Sequence, residues 1–107
     1  MDTLPGVVSI HKFGAGRTDK ERLAQEIAAF VDETIATVPG LTRVTVLSEY
    51  GGSHVTVVAE WETHAAWAES ESVFYGHTRL RELLAGMTGA GGTNEAYTPV
   101  GVAPRTP

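Results

Sequence analysis

The stretch LTRVTVLSEYGGSHVTVVAEW, residues Leu41–Trp61, decides the fold. Its two halves alternate apolar and polar side chains with the period of a strand, and Gly51-Gly52 separates them. The pattern predicts an antiparallel hairpin, Leu41–Tyr50 with Ser53–Trp61. Successive strand residues point to opposite faces, so Val55, Val57, Ala59 and Trp61 share one face while His54, Thr56, Val58 and Glu60 share the other. The first set is apolar and calls for a helical cover, which puts Trp61 between sheet and helices.

Upstream of the hairpin, GVVSIHKF (Gly6–Phe13) follows Pro5, is rich in β-branched residues and reads as a first strand. Thr18-Asp-Lys-Glu21 has the form of a capping box that opens a helix. Leu23, Ile27, Phe30 or Val31, Thr34 or Ile35, and Val38 recur along it at helical spacing, and Pro39-Gly40 ends it. Downstream, THAAWAES reads as a short helix with Thr63 as N-cap. After it, Val73, His77, Leu80, Leu84 and Met87 lie on one helical stripe. Gly86, Gly89, Gly91 and Gly92 make a loop, and EAYTPVGV supplies a last strand, with Pro99 at an edge or bulge.

The order is β-α-β-β-α(α)-β, an α+β chain of ferredoxin-like type with one antiparallel sheet and helices on one face. The 107 residues form a single domain, with a core from about residue 6 to residue 102 and short tails at 1–5 and 103–107. A sheet so covered leaves Thr45, Leu47, Thr56 and Val58 on a bare face. The expected cover is a second copy, in a homodimer packed sheet to sheet.

Composition removes several classes of function. Eight Lys and Arg stand against 13 Asp and Glu, a net charge of −5, so the basic footprint of a nucleic-acid binder is missing. There is no cysteine, which excludes disulfides, thiolate catalysis, Cys-bound zinc and iron–sulfur clusters. No apolar run approaches the roughly 20 residues that span a bilayer, and the N-terminus lacks a basic region before an apolar one. The expectation is a soluble cytoplasmic protein with no membrane or nucleic-acid partner.

Cofactor motifs are incomplete. Gly14-Ala-Gly16 lies between a strand and a helix, but Asp19 stands where a dinucleotide fingerprint needs its third glycine. The four histidines, His11, His54, His64 and His77, fall on different elements and in no metal-ligand spacing. Neither a metal nor an organic cofactor is expected. The more informative residues are the two tryptophans, Trp61 and Trp67, which flank the junction between the third strand and the next helix. They are either two core anchors or two walls of a pocket. His77 and Arg81, one helical turn apart, can converge on the same cleft. The plain alternative is a core histidine and a solvated arginine paired with Glu71 or Glu82. Gly76 beside them leaves room for a close neighbour, and Tyr75 and Tyr50 are weaker polar candidates.

With these residues in place, PGLTRVTVLSEYGGSHVTVVAEWETHAAWAES resembles the hairpin and the W-x-S/T-x-x-A-W/Y region of the antibiotic-biosynthesis-monooxygenase-like family of dimeric α+β barrels. The resemblance runs from the first strand to the last. In its anthrone-oxygenase branch a tryptophan ends strand three, an aromatic follows six residues on and an arginine twenty residues on, which here are Trp61, Trp67 and Arg81. That branch has an asparagine four residues before the tryptophan, where this chain has Val57. In a haem-degrading branch a tryptophan precedes a haem-ligating histidine by ten residues, the spacing of Trp67 and His77, and a strand-one asparagine corresponds to about His11. The resemblance implies a cofactor-independent oxygenase acting on an aromatic polyketide or electron-rich phenol. Arg81 would stabilise charge, His77 or His11 would move the proton, and Trp61, Trp67, Val57 and Tyr75 would contact the substrate. The alternatives it leaves open are a cyclase, isomerase or dehydratase in the same pocket, and a haem-binding or non-catalytic binding module.

Overall fold

The described residues form β1 (Val7–Gly14), α1 (Lys20–Thr34), β2 (Leu41–Ser48), β3 (His54–Trp61), α2 (His64–Tyr75) and β4 (Thr93–Tyr97), in the predicted sequence of strands and helices. The computed structural model describes residues 4–14, 19–34, 37–75, 93–101 and 103, with the backbone alone at 71–75, 93 and 94. The strands make one sheet in the order β2-β3-β1-β4, and every neighbouring pair is antiparallel. This is the ferredoxin-like α+β fold.

Register divides the sheet into the two faces that alternation predicts. Val7, Ser9, His11 and Phe13 of β1 stand opposite Trp61, Ala59, Val57 and Val55 of β3. Val44 and Val46 of β2 continue the middle rows through Ala59 and Val57. This inner face is covered by the helices. On α1, Leu23, Ile27 and Phe30 are buried at helical spacing, and Leu23 and Ile27 pack on Val55, with Phe13, Val46 and Val57 around them. A second cluster joins Val7, Val38, Leu41, Ala59 and Trp61, bordered by Val44, Ala66 and Trp67. Each large apolar side chain so buried stabilises the fold by about 1.5–3 kcal/mol.

The β3–α2 junction is pinned by two glycines. Gly6 donates its N–H to Trp61 O at 2.8 Å, and a Cβ on Gly6 would stand 2.4 Å from Glu62 O. Gly40 accepts from Glu62 N at 2.8 Å, has φ 80°, and a Cβ there would meet Ala66 Cβ at 2.4 Å. Only glycine allows both the positive φ and the contact with α2. At the other end of the sheet, Lys20 Nζ on α1 donates to the Glu49 and Gly52 carbonyls, the second at 2.8 Å, and holds the helix start against the hairpin.

Element boundaries differ from the sequence reading for local reasons. The N-cap of α1 is Asp19, whose Oδ1 accepts from Glu21 N at 3.0 Å and Arg22 N at 3.4 Å; Thr18, the expected cap, lies outside the described residues. Glu21 is engaged elsewhere, its carboxylate accepting from Ser48 Oγ at 2.9 Å. α1 is described to Thr34, and Val38 reaches the core from the turn before β2. The hairpin turn is longer than Gly51-Gly52: Glu49 N donates to His54 O, leaving residues 50–53 as the loop, with Gly51 at φ 74°. An extra residue, Thr42, bulges between Leu41 and Arg43, and its Oγ1 donates to Glu60 O at 3.1 Å. α2 is one helix through Tyr75, so Val73 belongs to it and not to a second helix. β4 starts at Thr93 and ends at Tyr97, before Pro99, which has no N–H to give a ladder. The stripe from His77 to Met87 lies outside the described residues.

The outer face carries Val8, Ile10, Thr45, Leu47, Thr56 and Val58, with Tyr97 beside Val8. Leu47 is 47% exposed and Tyr97 49% exposed, so this face keeps large apolar surface in contact with water. The Tyr97 hydroxyl donates to the Glu95 carboxylate, which pushes its phenol pKa up.

Candidate functional site

Side-chain chemistry on the inner face changes from one edge to the other. On β2 and β3, apart from Trp61 at the end of β3, the inward residues Leu41, Val44, Val46, Val55, Val57 and Ala59 are aliphatic. Ser48, at the end of β2, is exposed and engaged with Glu21. On β1 the inward residues between Val7 and Phe13 are Ser9 and His11, one a hydroxyl and one an imidazole.

Ser9 and Trp61 form the buried polar contact of this face. Trp61 Nε1 donates to Ser9 Oγ at 2.9 Å, with Trp61 2% exposed and Ser9 0%. They are diagonal neighbours across the β1–β3 ladder, and the small Ala59 opposite Ser9 leaves space for the indole to lean over it. A buried indole N–H without an acceptor would be costly, so Ser9 fixes where Trp61 can lie. Trp61 is thus a core anchor with its polar end satisfied.

Trp67 has a different setting. Thr63 caps α2 as expected, its Oγ1 accepting from Ala66 N at 3.1 Å, and this sets the first turn that carries Trp67 toward the sheet. The indole is half-buried, borders the Trp61 cluster, and meets the His64 ring edge-on at 5.2 Å. Ser70 is buried, but its hydroxyl donates to Trp67 O within its own helix. The sheet and α2 therefore bring both tryptophans to one cluster, one sealed and one partly open.

His11 stands at the centre of the inner face, half-buried, stacked at 14° and 6.3 Å on Phe13. Its register partner on β3 is Val57. Among the described residues no group of three or more His, Asp or Glu is placed to hold a metal ion. Tyr75 ends α2 and is described by its backbone alone, and His77 and Arg81 lie outside the described residues.

Two inner-face residues escape a reading of the sequence. Ser9 is visible in the alternation Val7-x-Ser9-x-His11, but its partnership with Trp61 depends on a register that sequence does not give. Asn94 precedes the segment read as the last strand. The two extra residues at the start of β4 make it the register partner of His11.

No family model matches this chain, and neither does any curated protein. Solved structures do match. A monooxygenase from the gene ActVA-Orf6 of Streptomyces coelicolor, in complex with nanaomycin D, superposes with a TM-score of 0.70 at 22% identity over 95% of this chain and 94% of that one. SnoaB from Streptomyces nogalater, a cofactor-independent oxygenase, matches with a TM-score of 0.65 at 17% identity over 92% and 97%. A Deinococcus radiodurans protein assigned as an antibiotic biosynthesis monooxygenase matches with a TM-score of 0.71 at 16% identity over 94% and 99%. At these identities the likeness is one of fold, and the fold is that of the antibiotic biosynthesis monooxygenases.

Proposed function

We propose that this chain is a cofactor-independent oxygenase that acts on an aromatic polyketide or a related electron-rich phenol. The observation that carries the reading is His11, an imidazole at the centre of a helix-covered sheet face whose β2 and β3 side is lined mainly by aliphatic side chains. A proton acceptor in a dry apolar setting is what such a substrate needs. Support also comes from the end-to-end fold likeness to monooxygenases, one of them solved with the polycyclic ligand nanaomycin D.

The chemistry requires no prosthetic group. Loss of a proton from an anthrone-like carbon gives a carbanion delocalised over the rings. That carbanion passes one electron to dioxygen, the resulting radical pair combines, and the peroxide loses water to leave a quinone carbonyl. One oxygen atom enters the product and the other leaves as water. His11 removes the proton, with His77 as the second candidate; Arg81 stabilises the phenolate or the peroxide. Trp67 lies against the rings with Val57 and Tyr75, and Trp61, expected as a second wall, is sealed in the core and backs Trp67 from beneath.

One observation favours a second reading. The inner-face place next to His11 on β3 is held by the aliphatic Val57, which offers no hydrogen bond to a substrate oxygen or to reduced dioxygen. A cyclase, isomerase or dehydratase needs the same proton acceptor without that contact. Oxygen uptake with anthrone separates the two. The oxygenase consumes one dioxygen per quinone formed, faster than the spontaneous reaction, and the second reading gives binding without uptake.

The outer sheet face supports assembly as a homodimer, since among the described residues no helix covers Ile10, Leu47 and Val58 there and Leu47 is 47% exposed. Light scattering should give about twice the chain mass of 11.4 kDa. A monomer would remove the sheet-to-sheet packing.

A further inference from the structure

We propose that the indole N–H of Trp67 is a recognition donor, selecting planar aromatic ligands that carry an oxygen at the ring edge over those that carry none. The proposal deepens the oxygenase reading and rests on it for the place of the ligand against Trp67. It starts from the unlike state of the two indoles. Trp61 is 2% exposed and gives its Nε1–H to Ser9 Oγ at 2.9 Å, so its single donor is already engaged. Trp67 is half-buried at the border of the same cluster, and among the described residues its Nε1–H meets no acceptor.

The polar side chains next to Trp67 on its own helix are engaged in other contacts. Thr63 Oγ1 accepts from Ala66 N at 3.1 Å, Ser70 Oγ donates to Trp67 O, and the exposed His64 meets the indole with its ring, edge-on at 5.2 Å. On the sheet, Val44 of the same cluster and Val57 are aliphatic. An indole N–H donates only, so it takes no proton from a substrate and serves instead to hold an oxygen. A partly desolvated donor without a partner is costly. A ligand that brings an acceptor relieves that cost, and one without oxygen leaves it in place, so the two are told apart. In the oxygenase reading, loss of the substrate proton sends negative charge to a ring oxygen, and a hydrogen bond to that oxygen strengthens as the charge develops. A phenylalanine here would give a similar wall without this preference.

The chain has two tryptophans, so proton–nitrogen NMR of the purified protein gives two indole N–H signals, each assigned by through-bond correlation. Without ligand, the Trp61 N–H should exchange with solvent roughly 10²-fold or more slowly than that of Trp67. The probes are 1,4-naphthoquinone, which has carbonyl oxygens at the ring edge, and naphthalene, which has none; the chain has no cysteine for the quinone to alkylate. Naphthoquinone should move the Trp67 N–H downfield, as a new hydrogen bond does, and naphthalene should not. In Trp67→Phe the preference for naphthoquinone, read as the ratio of the two Kd values, should fall by about fivefold to tenfold, because lost packing weakens both ligands alike and cancels. If Trp67→Phe fails to fold, the wild-type spectra decide. A Trp67 N–H as protected as that of Trp61, a signal unmoved by naphthoquinone, an unchanged Kd ratio, or binding of neither probe overturns the proposal. Failure to consume oxygen with anthrone while the Trp67 response persists overturns the oxygenase reading alone.

Discussion

Val57 and His11 are partners across the β3–β1 ladder, yet they belong to two unlike surfaces. On the Val57 side, β2 and β3 present aliphatic side chains that α1 seals with Leu23 and Ile27. On the His11 side, β1 offers a hydroxyl and an imidazole, and α2 brings up a half-buried indole. The first half provides the burial that keeps a small domain folded. The second carries the groups able to bind and to move protons. Trp61 joins them, with its ring in the sealed cluster and its N–H on Ser9. Stability and chemistry are thereby assigned to different strands of one sheet, and substitutions can test that division.

The largest effect is expected where the halves meet. Trp61→Ala should cost about 3–5 kcal/mol, because it loses the burial of a 2% exposed indole and leaves a cavity that the surroundings fill only in part. Denaturant unfolding measures this, and a loss below about 1 kcal/mol would mean that the indole is not the anchor described. Ser9→Ala should cost about 1–3 kcal/mol, since it strands the buried Trp61 Nε1–H without an acceptor. Ser9→Thr, which keeps a hydroxyl, should recover part of that loss if the added methyl is tolerated. Val57→Asn extends polarity into the aliphatic half. It should cost about 1 kcal/mol, at the low end for a partly buried amide without a partner. If the oxygenase reading holds, the same variant should raise oxygen uptake by offering a hydrogen bond to the reduced oxygen species.

Much of this was legible in the sequence. Alternation in Leu41–Trp61 placed Val55, Ala59 and Trp61 on the covered face, and Thr63 was found as the cap of α2, because period and capping are local properties. What escaped depends on contacts distant in sequence. Asp19 caps α1, and Glu21, expected to reach back toward the cap, is instead drawn to Ser48. Gly6 read only as the start of the first strand and Pro39-Gly40 only as the end of the first helix, although Gly6 and Gly40 are the points where the β3–α2 junction rests. The hairpin loop grew to four residues because Glu49 still pairs with His54. Asn94 was invisible as a neighbour of His11, since its position follows only once β4 begins at Thr93. The roles of Tyr75, His77 and Arg81 fall on residues whose side chains lie outside those described.

The smallest expected effect on stability accompanies the largest on chemistry, and one pair of measurements addresses it. His11→Ala removes a half-buried ring from the open half of the sheet, so unfolding free energy should fall by under about 1 kcal/mol. Oxygen uptake with anthrone, measured side by side on wild type and His11→Ala, should fall by roughly 10²-fold or more, as loss of a positioned proton acceptor does. Equal uptake by the two proteins, or a wild type no faster than the spontaneous reaction, would contradict the assignment of chemistry to the β1 half of the sheet.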